Sequence, residues 1–187
     1  MPISNSRPGL LPLIFALLHG SAVMAAGGTD QQRQPSPDSA TFVDRGACPF
    51  ECCEYTNWIA KREIAVHQAM DEASPVVFRI EKGEWVKGLT GVVITTKPGQ
   101  ARVLQPVALD GQWARKGDLV ELLTYGGEGV YKLRYRGAVI EPDLDQEEFL
   151  TIVTAPESVW WVKLKNTQGS TGWSKESDAF GNQDRCE

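Results

Sequence analysis

Three of the four cysteines, Cys48, Cys52 and Cys53, fall within six residues, and the fourth, Cys186, is the last residue but one. What that pattern means depends on where the chain lives. Met1–Ala26 opens with one cation, Arg7, continues as an apolar run from Leu10 to Leu18 broken only by Pro12, and ends in small residues up to Ala25 and Ala26. This order predicts a secretory signal peptide over 1–26, cleaved near Ala25 or Ala26. The apolar run is well short of the ~20 residues a membrane span needs. No cysteine follows the small residues to carry a lipid anchor. The protein is therefore expected to be exported, periplasmic or secreted, with no membrane span after cleavage. In an oxidising compartment four cysteines read first as two disulfides. Adjacent cysteines bond poorly because the ring they close is strained. That leaves Cys186 bonded to Cys52 or to Cys53, with Cys48 taking the other. Either choice ties the end of the chain to the start of its folded part, and closing so long a loop adds roughly 4 to 5 kcal/mol on the chain-entropy model.

The same cysteines are poor metal ligands or redox centres. C-x-x-x-C-C is neither C-x-x-C nor a common zinc spacing. Histidine offers little support, since His19 sits in the leader and His67 stands alone. No metal and no cofactor are expected. The formal charge is −5 over 187 residues, and losing the leader removes Arg7 and no acid, which leaves −6. A mildly acidic chain without clustered Lys and Arg is not built for nucleic acid.

Gly27–Ala40 is polar and rich in Gly, Gln, Ser and Pro, and a disordered linker is expected over 27–46. Beyond it the chain reads as short strands and turns with no sustained helical period. Glu63–His67 alternates, Pro75 marks a turn, Val76–Ile80 is a strand, and Glu81–Glu84 reads as a hairpin turn into Trp85–Lys87. Val92–Thr96 and Ala101–Leu104 flank Lys97–Gln100 as a further expected hairpin. Leu119–Tyr125 and Val130–Tyr135 flank Gly126–Gly129, and Arg136–Gly137 precedes Ala138–Ile140. The last hairpin is the sharpest: Val159–Lys165 alternates with a period of two, Asn166–Gly169 is a turn, and Thr171–Trp173 runs back.

Two stretches carry a resemblance. REIAVHQAMDEASPVVFRIEKGEWVKGLTG (62–91) resembles the opening of a bacterial Src-homology-3-like domain, and VWWVKLKNTQGSTGW (159–173) resembles its last hairpin. Where that family has Asn-Val-Arg in its first strand, this chain has Ala65, Val66, His67. The resemblance implies an all-β chain of two tandem small barrels, one over 47–105 with the cysteine-rich segment as its clasp and one over 106–187. The alternative is one elaborated barrel with the middle segment inserted. It also implies a groove of aromatics that grips an extended peptide.

By alternation Trp160 falls with Val162 and Leu164 and is expected in the core, while Trp161 falls with Lys163 and Lys165 and is the better groove residue. The expected groove is Trp161, Trp173, Tyr131 and Tyr135, with Trp160 as a further candidate. Each also has a plain reading as a packing residue. Gly126–Gly129 lacks phosphate-loop spacing and is expected to be a turn. Asp143, Asp145, Glu147 and Glu148 lack the calcium-loop glycine and read as a solvated acidic loop. There is no G-x-S-x-G and no H-E-x-x-H. The function expected is a non-catalytic envelope module that binds peptidoglycan stem peptide or an envelope protein. A structural protein with no small ligand is the alternative, and an enzyme or metal protein using Cys48–Cys53 a further one.

Overall fold

The computed structural model describes residues 42–186. The expected signal peptide and residues 27–41 of the expected linker lie outside them. In chain order the strands are β1 (Phe42–Arg45), β2 (Asn57–Ala60), β3 (Ile64–His67), β4 (Val76–Ile80), the long β5 (Trp85–Lys97), β6 (Gly99–Val103), β7 (Val107–Leu109), β8 (Gln112–Ala114), β9 (Leu119–Gly127), β10 (Val130–Tyr135), β11 (Ala138–Ile140), β12 (Leu150–Thr154), β13 (Glu157–Lys165), β14 (Thr171–Ser174) and β15 (Phe180–Gly181). One short helix, α1 (Gln146–Phe149), precedes β12. The all-β expectation holds, and part of the sheet curls into a half-barrel. The last residues of the expected linker are not disordered, because Phe42–Arg45 pairs with Val92–Thr95 of β5. Among the described residues no helix is long and apolar enough to cross a membrane.

The large sheet runs β15-β2-β5-β13-β14-β3-β4, with β1 beside the second half of β5. A smaller sheet runs β11-β10-β9-β6-β12, and β7 and β8 form a separate hairpin. This pairing crosses the boundary expected at 105/106. β13 lies along β5 from Lys97 to Lys87, and β14 pairs with β3. β6 pairs with β9 and β12. The chain is nested: residues 99–154 fold on themselves between two partners of the large sheet.

Two glycines lie inside the long strand β5, which runs unbroken where separate strands were expected at Trp85–Lys87 and Val92–Thr96: Gly88 and Gly91. A Cβ on Gly88 would sit 2.9 Å from the Trp58 ring, and one on Gly91 would collide with the Tyr55 hydroxyl and Trp160 Nε1. They are glycines because aromatic rings pack onto the strand, not because the chain turns. Lys97–Gln100 is accordingly not a hairpin but the passage from one sheet to the other. Glu81–Glu84 is a turn, with Glu84 N–H donating to Glu81 O at 3.0 Å. It too joins strands that pair elsewhere, β4 with β3 and β5 with β2. The hairpins β9–β10, β10–β11 and β13–β14 form as expected.

Three clusters form the core. Trp58, Ile64, Val66, Ile80, Val162, Leu164 and Phe180 form a cluster on one face of the large sheet, with Tyr55 and Trp160 against them. Val92, Ile94 and Trp161 occupy its other face, flanked by Val43, Met70, Val159 and Trp173. Val103, Leu109, Leu122, Leu133, Tyr135 and Leu150 fill the smaller sheet.

Candidate functional site

The five groove candidates do not converge. The alternation along β13 holds: Trp160 packs with the Val162 and Leu164 cluster, and Trp161 points the other way. The inference from it fails, because that other face is covered too. Trp161 is fully buried, and its indole N–H has no partner. Val43 of β1, level with Ile94, and Met70 of the β3–β4 loop pack against the cluster it forms with Val92 and Ile94. Neither was placed there by the sequence, since β1 fell in the expected linker. Trp161 is core.

Trp160 is only partly buried, but it stands inside an aromatic cluster rather than in a groove. Its ring centroid lies 5.8 Å from Phe50, 6.5 Å from Tyr55 and 6.3 Å from Trp58. Tyr55 donates its hydroxyl to Ala47 O. Burial pushes the Tyr55 phenol up to about 12; the nearby Trp160 indole works the other way and the Asp44 charge adds to the rise. Tyr135 is buried, and its hydroxyl donates to Asp118 Oδ2 at 2.7 Å. That bond, ahead of burial, raises its pKa. The backbone N–H of Arg115 and the Tyr135 hydroxyl in turn hold the Asp118 carboxyl below its usual range. Tyr131 lies against the core of the smaller sheet with its ring 5.0 Å from Tyr125. Burial raises its pKa, and the Tyr125 charge adds to this. Gln146 clamps the Tyr131 backbone from both sides, accepting from its N–H at 3.0 Å and donating to its O at 2.8 Å. Tyr131 and Tyr135 are thus packing residues of the smaller sheet.

Trp173 is the candidate left with an open face. It is half-buried on β14, opposite Lys163 and His67. Lys163 Nζ sits 5.6 Å from its ring centroid. Val43, Met70 and Val159, each partly exposed, continue the apolar strip beside it. The loop that brings Met70 there is pinned at its base: Gln68 N–H donates to Pro75 O at 2.9 Å and Ser74 Oγ to Asp71 O at 2.7 Å. Glu72 of the same loop pairs with Lys175 at 2.7 Å.

The cysteines settle on one of the two open pairings, Cys48–Cys53 and Cys52–Cys186, with Cα atoms 5.6 and 5.8 Å apart. All four are bonded. Glu51 lies close to Cys52 and Cys186, but both sulfurs are spent on the bond and offer no thiolate. The tip of the β9–β10 hairpin rests on this clasp. Gly127 has φ +107°, and a Cβ there would sit 2.6 Å from Glu51 N. A cleft of about 400 Å³ lies between Phe50–Cys53 and Gly126–Val130. A second tie runs between the sheets: Lys132 of β10 donates to the buried Asp44 of β1 at 2.9 Å and to Glu141 at 2.5 Å. The other Asp44 oxygen has no partner.

Two exposed features were not among the expected site residues. Trp113, on the β7–β8 hairpin, is 67% exposed. β12 is an uncharged edge strand whose residues after Leu150 are all exposed. Compared with protein-family models, curated proteins and solved structures, the chain matches none.

Proposed function

We propose that this protein is an exported, non-catalytic binding module of the cell envelope that grips an extended peptide, either a peptidoglycan stem peptide or a segment of an envelope protein. The observation that carries this reading is the strip of Trp173, Met70, Val159 and Val43 with Lys163 above the indole. A half-exposed aromatic on a strand, apolar neighbours and one cation at its rim suit a peptide that brings methyl groups and a carboxylate. The two disulfides and the leader-like start are compatible with an oxidising destination. In fold terms we read the large sheet as one Src-homology-3-like barrel and residues 99–154 as an addition to it. The run from β3 to β5 and the β13–β14 hairpin are the stretches on which that resemblance rests.

The test is co-sedimentation with purified peptidoglycan, comparing wild type with Trp173→Ala and Lys163→Ala. Wild type pellets, and Trp173→Ala loses about tenfold in affinity, the scale of one exposed aromatic contact. Trp161→Ala serves as the fold control. Emptying that buried site lowers stability by about 3 to 5 kcal/mol, so lost binding in that variant comes with a lowered melting temperature. If wild type stays in the supernatant, the wall-peptide reading is wrong. The alternative, an interaction protein with no small ligand, draws its support from β12.

A further inference from the structure

Five strands have an unpaired edge among the described residues: β1, β4 and β15 in the large sheet, β11 and β12 in the small one, and β1 carries Asp44 and Arg45. Exposed edges offer unpaired N–H and C=O groups to any passing strand, and proteins normally blunt them with charge, Pro or brevity. β15 has two residues and β11 has three. β4 carries Arg79, engaged by Glu63 at 2.7 Å. β12 has none of these guards. It reads LTIVT, five residues without charge. Ile152 is 53% exposed and Val153 is 48% exposed, and the register with β6 shifts between Ile152 and Thr154. Ile152 is registered with Ala101, which is fully buried. The core of the small sheet thus runs out toward this edge without a strand beyond it.

We infer that β12 is a strand-addition site, which takes an extended segment of a partner polypeptide as a further antiparallel strand of the small sheet. The surroundings choose the partner's chemistry. Asp145, Glu147 and Glu148 crowd the start of β12, all exposed. Asp145 is held as the cap of α1, accepting from the N–H groups of Glu147 and Glu148. Glu148 accepts from Gln105 at 3.2 Å. At the far end Glu157 is matched by Lys97 at 2.8 Å. Beside these three carboxylates stands one cation registered with β12, the exposed Arg102 of β6 opposite Thr151, so the unbalanced charge is negative and sits at the N-terminal end of β12. An antiparallel partner lays its C-terminal end there, so the fitting segment alternates apolar residues and then turns basic. A second copy of this chain fits badly. Antiparallel self-pairing centred on Ile152 brings the acidic N-terminal end of β12 in one copy toward Glu157 at the far end in the other, between molecules of net charge −5. This surface is separate from the Trp173 strip and does not depend on it.

The probes are two synthetic peptides of about ten residues, a length that covers one strand. Both alternate Val and Thr; one ends in lysines and the other in glutamates. Each is added to the full chain, and amide exchange is read residue by residue. The lysine-ended peptide slows exchange at Thr151–Thr154 about tenfold and the glutamate-ended peptide does not. Val153→Lys removes the response while the rest of the spectrum is kept, and Thr151→Lys repeats the result should the first variant fold poorly. Equal protection by both peptides overturns the proposal, as does protection at Val76–Ile80 instead. It is equally overturned if Thr151–Thr154 gain protection with protein concentration alone and Val153→Lys abolishes this, since the occupant is then a second copy.

Discussion

Tyr55 concentrates the chemistry of the clasp at one atom. Its hydroxyl is fixed on Ala47 O, Asp44 lies near enough to raise its pKa, and Gly91 leaves the space in which it sits. The sign of the linkage follows from the folded value. The phenol ionises near 10 when unfolded and at about 12 here, so the unfolded chain loses its proton first as pH rises. The contribution is therefore complete below pH ~10 and is lost as pH climbs through the window from ~10 to ~12. Unfolding of wild type by urea at stepped pH should show stability falling across that window. Tyr55→Phe should flatten the fall, and should cost about 1 kcal/mol at neutral pH for the missing hydrogen bond. An unchanged slope in the variant means that another group governs the alkaline limit.

The strands meet through glycines as much as through side chains. Gly127 is the clearest case, because its φ of +107° suits glycine and a Cβ would press on the Glu51 backbone. Gly127→Ala should destabilise by about 2 to 4 kcal/mol, summing the conformational penalty and the overlap. Gly137→Ala is the comparison: it has φ +84° and nothing within 4 Å of its would-be Cβ, so it should cost only the conformational part. Equal losses in thermal melts would show that the hairpin tip does not bear on the clasp. Such glycines also mark how far the sequence could be read. Strand character was plain in VWWVKLK and VYKLRY, and the turns at 126–129 and 166–169 announced themselves. Which strand lies beside which was not, because a glycine that makes room for Trp58 looks like one that turns the chain. For the same reason the face of Trp161 looked open. The cluster it joins draws in Val43 and Met70, residues more than 90 positions away.

At the scale of the molecule the two disulfides do unequal work. Cys48–Cys53 closes a loop with a separation of 5, and Cys52–Cys186 one with a separation of 134. On the chain-entropy model the first is worth about 2 kcal/mol and the second about 5. Replacing Cys52 and Cys186 together by Ser should therefore lower the denaturant midpoint much further than replacing Cys48 and Cys53. The ranking would reverse only if the unfolded chain already held its ends together.

The nested path also has a consequence in time. β5 is made early, but its main partner, β13, follows some 60 residues later, with Lys97 and Glu157 brought side by side at the end. Between them lies a lobe whose hairpins β7–β8, β9–β10 and β10–β11 are short-range and close fast, and whose ends are joined by the longer-range pairing of β6 with β12. Once that lobe has formed, its two ends are already neighbours. Pairing β5 with β13 then proceeds outward from Lys97 and Glu157 like a zip, and the long loop-closure entropy has been met in advance. The inserted lobe thus acts as an internal template for the sheet that flanks it, so the middle of the chain is expected to fold before the strands on either side of it.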